Sequence, residues 1–123
     1  MHVERKTVAI TTAADGSATA YTEGAATGRI LQARYVKTDF ADGVDFTITS
    51  EATGETIWQQ SDVNASATVA PRQPTHSTAG VAALFAAAGA AVNDHIAIAN
   101  DRIKIVIAAG GNAKTGTFHF LIG

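Results

Sequence analysis

Val44-Asp45-Phe46-Thr47-Ile48-Thr49-Ser50, then Glu51-Ala52-Thr53-Gly54, then Glu55-Thr56-Ile57-Trp58-Gln59-Gln60: this run decides the fold class. Val44, Phe46 and Ile48 alternate with Asp45, Thr47 and Thr49. That period of two places all three apolar side chains on one face of an extended strand. The four residues that follow are turn formers, and the return segment carries Ile57 and Trp58. The stretch predicts a β-hairpin with one buried face.

The same grammar extends in both directions. Thr7 to Thr12 sets Val8 and Ile10 on one face. Asp15-Gly16 supplies a tight turn, since glycine tolerates positive φ, and Ser17 to Thr22 returns, so the pair reads as a second hairpin. Gly28 to Lys37 is a longer strand whose two faces are less cleanly divided, as in a strand that is bent midway or covered on both sides. Further on, His95 to Ala99 and Arg102 to Ala108 flank Asn100-Asp101, and Ile103, Ile105 and Ile107 alternate with Lys104 and Val106. Ala109 to Asn112 is a turn cluster, and Thr115 to Ile122 closes with Phe118, Phe120 and Ile122 on one face.

The middle of the chain is different. Pro71 and Pro74 exclude a helix interior and a central strand, and a strand from Val63 to Ala70 fits before them. Thr78 to Val92 is rich in alanine, which favours helix, but Gly80 and Gly89 interrupt it. No charged face accompanies its apolar residues, which tilts the reading towards a loop. Seven to nine short strands separated by frequent turns predict an all-β fold, an antiparallel β-sandwich with the jelly roll as one form it could take. No linker or internal repeat divides residues 1–123, so one domain is expected.

Bulk composition narrows the function. The hydrophobic fraction is 46%, but much of it is alanine, so large core side chains are fewer than that figure suggests. A formal net charge of −2, with no basic run longer than Arg5-Lys6, argues against nucleic acid as a partner. Only 16% of residues are charged, a low value for a surface wholly in water and a hint that another protein covers part of it. Cysteine is absent, which removes disulfides and thiolate chemistry. Met1 to Lys6 lacks the apolar stretch of a signal peptide, and Ala79 to Val92 is too short to span a bilayer. These features predict cytoplasmic synthesis and no membrane partner.

Residues able to carry chemistry are present but not in working patterns. His2, His76, His95 and His119 do not fall at metal-ligand spacing. Asp39, Asp42 and Asp45, with Glu51 and Glu55, lie near turns, where carboxylates cap backbone amides, and their spacing is not that of a calcium loop. Gly110-Gly111-Asn112-Ala113-Lys114-Thr115-Gly116 has the ingredients of a phosphate loop in the wrong order and leads into a strand, so it reads as a hairpin turn. No catalytic, cofactor-binding or metal site is expected, and no enzyme. Trp58, Tyr35 and Phe85 could anchor a binding surface, although a lone tryptophan in a small β-domain is more often core.

Ile10 to Tyr21, Tyr35 to Thr49, Val63 to Ser66, Asp101 to Ile107 and Gly110 to Phe118, read together, resemble small structural proteins of tailed phages and prophages encoded close to the major capsid protein. That resemblance implies a virion component, a capsid decoration or cement protein on the capsid surface. It implies the major capsid protein as partner and a homo-oligomer, with the trimer as the expected form. The group offers no catalytic motif, so no functional residue carries over. On this reading Met1 to Lys6 and Pro71 to Val92 are the candidate contact segments. Two rival readings are a tail or head–tail connector component, and a small carbohydrate-binding module using Trp58 and Tyr35 as stacking platforms.

Overall fold

The computed structural model describes residues 2–123. Ten antiparallel strands form two sheets, and no helix occurs among the described residues. In order they are β1 (Glu4–Thr11), β2 (Ala18–Tyr21), β3 (Ala26–Lys37), β4 (Val44–Ser50), β5 (Thr56–Val63), β6 (Ala67–Val69), β7 (Arg72–Pro74), β8 (Asn93–Asp101), β9 (Ile103–Ala108) and β10 (Thr115–Ile122). One sheet runs β1-β10-β3-β8-β7, with β6 paired to the far half of β3. The other runs β2-β9-β4-β5.

The pairings β1/β10, β2/β9, β3/β8 and β4/β5 are those of one long hairpin rolled over on itself. With alternate pairs assigned to opposite sheets, this is a jelly roll. Ten strands exceed the expected seven to nine because β6 and β7 are three-residue pieces in the proline-containing stretch. Such short segments carry too little periodicity to register in a sequence. The stretch expected as one strand from Val63 to Ala70 is the end of β5 followed by β6.

Local hairpins fare unequally. The β4/β5 hairpin is present, with Ile48 opposite Trp58 and a bulge that lets Ile57 and Trp58 both turn inward. The hairpin expected around Asp15-Gly16 is not. β1 pairs with β10 and β2 with β9, so this turn carries the chain from one sheet to the other. Asn100-Asp101 and Ala109 to Asn112 do the same between β8 and β9 and between β9 and β10. A turn signal reports that the chain reverses; it does not report that the flanking strands pair.

These corners are held by buried threonines. Thr12 Oγ1 donates to Gly111 O (2.6 Å) and accepts from Lys114 N (2.9 Å), tying the β1–β2 corner to the β9–β10 corner. At the opposite end Thr22 Oγ1 accepts from Ile103 N (3.1 Å). Gly116 sits against Phe40, and a β-carbon there would collide with the ring, which explains the glycine at the second position of β10.

The core is aromatic at its centre. Tyr35 and Phe118 from one sheet meet Phe46 and Trp58 from the other, with ring centroids 4.7–5.4 Å apart, and Phe40 closes the cluster from the β3–β4 connection. Isoleucines extend it: Ile103, Ile105 and Ile107 face Ile10, Ile30, Ile96, Ile98 and Ile122 in the same buried cluster. The mixed faces of β3 resolve into a bulge at Leu31, where the register against β10 shifts. It allows Ile30, Ala33 and Tyr35 all to point inward.

Phe118→Ala should cost about 3–5 kcal/mol, the usual range for emptying a buried phenylalanine site. Tyr35→Phe should be neutral or stabilising, because the buried Tyr35 hydroxyl has no hydrogen-bond partner. Urea denaturation of both variants tests the pair, and a Tyr35→Phe variant destabilised as much as Phe118→Ala would refute the account of the hydroxyl.

Candidate interaction surface

Each side chain singled out in the sequence has a definite place. Tyr35 is fully buried and Trp58 nearly so, with its indole N–H donating to Gln60 Oε1 at 3.1 Å. Neither ring face is open, so the carbohydrate reading loses both stacking platforms. Phe85 is the opposite case, 76% exposed.

Of the carboxylates near turns, Asp39, Asp42, Asp45 and Glu51 are spent on the backbone, a hydroxyl and neighbouring cations. Asp39 Oδ1 accepts from both the amide and the hydroxyl of Thr115, and these bonds hold its pKa below the ordinary carboxylate value. Asp42 pairs with Lys37, and Asp45 Oδ1 accepts from Asp62 N at 2.8 Å. Glu51 makes a two-point contact with Arg102, which lowers its pKa through those hydrogen bonds. Arg102 in turn lies 4.2 Å above the Tyr21 ring.

The phosphate-loop-like stretch is a corner between sheets, not the hairpin turn expected. Several amides that could cradle an anion are engaged: Gly110 N–H with Gly16 O, Lys114 N–H with Thr12 Oγ1, and Thr115 N–H with Asp39. The four histidines lie apart. His95 sits beside Asp94 on β8, His119 beside Thr7 on the outer face of β10, His76 in the loop after β7 and His2 ahead of β1. Among the described residues no three His, Asp or Glu side chains group as metal ligands, and no helix is long and apolar enough to cross a membrane. A shallow depression of about 180 Å³ between the β4–β5 turn and β8 contains Glu55 and Asp101, but Asp101 is bonded to the amides of Ala52 and Arg102.

What the fold does present is an arm. Between β7 and β8 the chain runs out and back, cross-linked by the bridges His76↔Ala82 and Leu84↔Ala91 and by Thr75 binding Val92 O through both amide and hydroxyl. The loop reading of Thr78 to Val92 matches this form. From Gln73 to Asn93 the sequence holds no lysine, arginine or carboxylate. Val81, Leu84 and Phe85 are 65%, 46% and 76% exposed. The projection thus exposes large apolar side chains with no charge beside them, the kind of surface that contacts with other proteins use.

The N-terminal segment, by contrast, is mostly structure. Glu4, Arg5 and Lys6 open β1 and pair with Ile122, Leu121 and Phe120, so half of this candidate contact segment is sheet; Met1 lies outside the described residues. β1 still forms an outer edge of its sheet, and the charges at its start are typical guards of such an edge. No family model and no curated protein matches the chain.

The capping carboxylates predict an acid-sensitive fold. Asp15, Asp39, Glu51 and Asp94 are all held below their ordinary values by hydrogen bonds, which come from Ser17, Thr115, Arg102 and His95 respectively. Such groups contribute stability that is complete above the unfolded pKa of about 4 and is lost as pH falls through the folded value. Thermal melts should therefore show the midpoint dropping below about pH 4. Asp39→Asn, which keeps an acceptor for Thr115 but cannot titrate, should flatten that drop; an unchanged profile would count against Asp39 as a contributor.

Proposed function

We propose that this chain is a virion structural protein, a capsid decoration or cement protein that binds the major capsid protein on the outside of a tailed-phage head. The observation that carries this reading is the uncharged apolar arm, tied at its base by the bonds of Thr75 to Val92 O and standing on a jelly roll whose turn aspartates largely hold its own backbone. Double-sheet jelly rolls are found in viral capsid proteins and also in lectins, and fold alone does not choose between such roles. The burial of Trp58 and Tyr35 counts against the sugar-binding option.

In this role the protein acts by shape. It is synthesised in the host cytoplasm, associates with itself, in the trimeric form, and takes its place on the assembled shell. The arm supplies apolar area to a neighbouring protein surface, and repetition over many identical sites turns a modest contact into a firm one. No bond is made or broken.

A cryo-EM map of the native particle tests the proposal. It should show this jelly roll on the capsid surface, in threes, with Phe85 buried in a contact. Density confined to the tail or connector would replace the capsid role with the tail alternative, and a strictly monomeric protein both free and on the particle would remove the trimer. Phe85→Ser should leave the melting temperature unchanged, since the ring contributes little to the core. It should weaken shell binding about tenfold or more, the loss expected for one buried aromatic side chain. Equal occupancy of shells by the variant would show that the arm is not the contact.

A further inference from the structure

Arginines that lie far apart in the sequence share one face of the sandwich. On β1, Val8 and Ile10 point inward, so Arg5 points out, opposite the outward Leu121. On β3, Arg34 alternates with the buried Ala33 and Tyr35 and sits opposite His119. Arg29 precedes the buried Ile30 and lies opposite the exposed Ala97, and Arg72 on β7 lies opposite His95. The bulge at Leu31 places Arg29 and Arg34 on the same side although five residues separate them. A rise of about 3.3 Å per residue and a strand spacing of about 4.8 Å set neighbouring arginines roughly 10–15 Å apart.

These four side chains are exposed and lack carboxylate partners. Among the described residues Lys6, Lys37 and Arg102 each form an ion pair with an acid, whereas Arg5, Arg29, Arg34 and Arg72 form none. Arg34 donates to Thr68 Oγ1 and Arg72 to Pro71 O, contacts that orient a guanidinium without neutralising it. Asp94 is engaged by His95, and the charge of Arg29 also helps to lower its pKa, although the two form no ion pair. In a chain of net charge −2, four unneutralised arginines on one sheet require most of the acids to be elsewhere. Six are on connections at the two ends, Asp15, Asp39 and Asp42 on one set and Glu23, Glu51 and Glu55 on the other, and Asp45 and Asp62 lie on the opposite sheet; Glu4, Asp94 and Asp101 are on strands of this one, where Glu4 pairs with Lys6 and Asp94 with His95.

We infer that the outer face of the β1-β10-β3-β8-β7 sheet docks against a carboxylate-bearing patch on another protein. A guanidinium presents its donors in a planar fork that suits carboxylates, and separated arginines with Ala97, His119 and Leu121 among them fit a protein surface of mixed character. A long polyanion fits less well. Continuing past either end of the sheet, it would run over the acidic connections, whereas a bounded acidic patch would not. The identification of that patch with the capsid shell rests on the function proposed above; the basic face itself does not.

The test uses the whole protein with Arg29, Arg34 and Arg72 replaced together, by glutamine in one variant and by lysine in another. Retention on immobilised poly-L-glutamate and binding to shells lacking the protein are both measured. The glutamine variant should elute at lower salt and bind shells about tenfold or more weakly. The lysine variant should keep its retention on polyglutamate, and Lys104→Gln on the other sheet should change nothing. If the glutamine variant matches the native protein on both supports, or if the native protein prefers duplex DNA to polyglutamate, the inference is overturned. If the native protein ignores shells while its retention on polyglutamate still depends on these arginines, the docking face stands and the capsid role falls.

Discussion

Contact between aromatic rings across the two sheets is what the rest of the structure depends on. Phe46 touches Tyr35, Trp58 and Phe118, and in doing so joins β4, β3, β5 and β10. Edge-to-face and stacked pairs at these separations add about 0.5–1.5 kcal/mol each to the burial of the rings themselves. In a chain whose apolar content is diluted by alanine, this cluster holds a large part of the bulky side-chain volume, and both sheets must be complete for it to close. The corner threonines serve the same end, fixing where each strand leaves one sheet and enters the other.

Much of this was legible in the residues. The alternation in β4, β9 and β10 gave the inward face correctly, because one buried side forces a period of two. The β4/β5 hairpin was readable because its partners are five residues apart in the chain. The first hairpin was misread for a related reason: Asp15-Gly16 has the chemistry of a tight reversal, but the partner of β1 lies at the other end of the sequence. Nothing local in Thr7 to Thr12 could announce a partner at Thr115 to Ile122. The strand count fell short for want of length in β6 and β7.

The surface was harder to read than the core. The lack of charge along the arm is visible in the sequence, but whether its alanines coil into a helix or form a bridged loop is settled by the contacts of Thr75 with Val92. The basic face was invisible. Arg5, Arg29, Arg34 and Arg72 are scattered over nearly seventy residues, and only the order β1-β10-β3-β8-β7, with one bulge, brings them together. The aspartates, conversely, look like a cluster at positions 39, 42 and 45 but turn to separate partners. Proximity in sequence was a poor guide to shared chemistry in both directions.

The placement of β10 between β1 and β3 has a consequence for how the chain comes into being. The strand that completes this sheet is the last of the ten to emerge from the ribosome, and until it arrives β1 has no partner and β3 has one long side open. Non-local pairing of this kind makes folding slow and leaves bare strand edges during synthesis. A nascent molecule is thus most prone to joining wrongly with its neighbours just before β10 appears, and insertion of that strand closes the window.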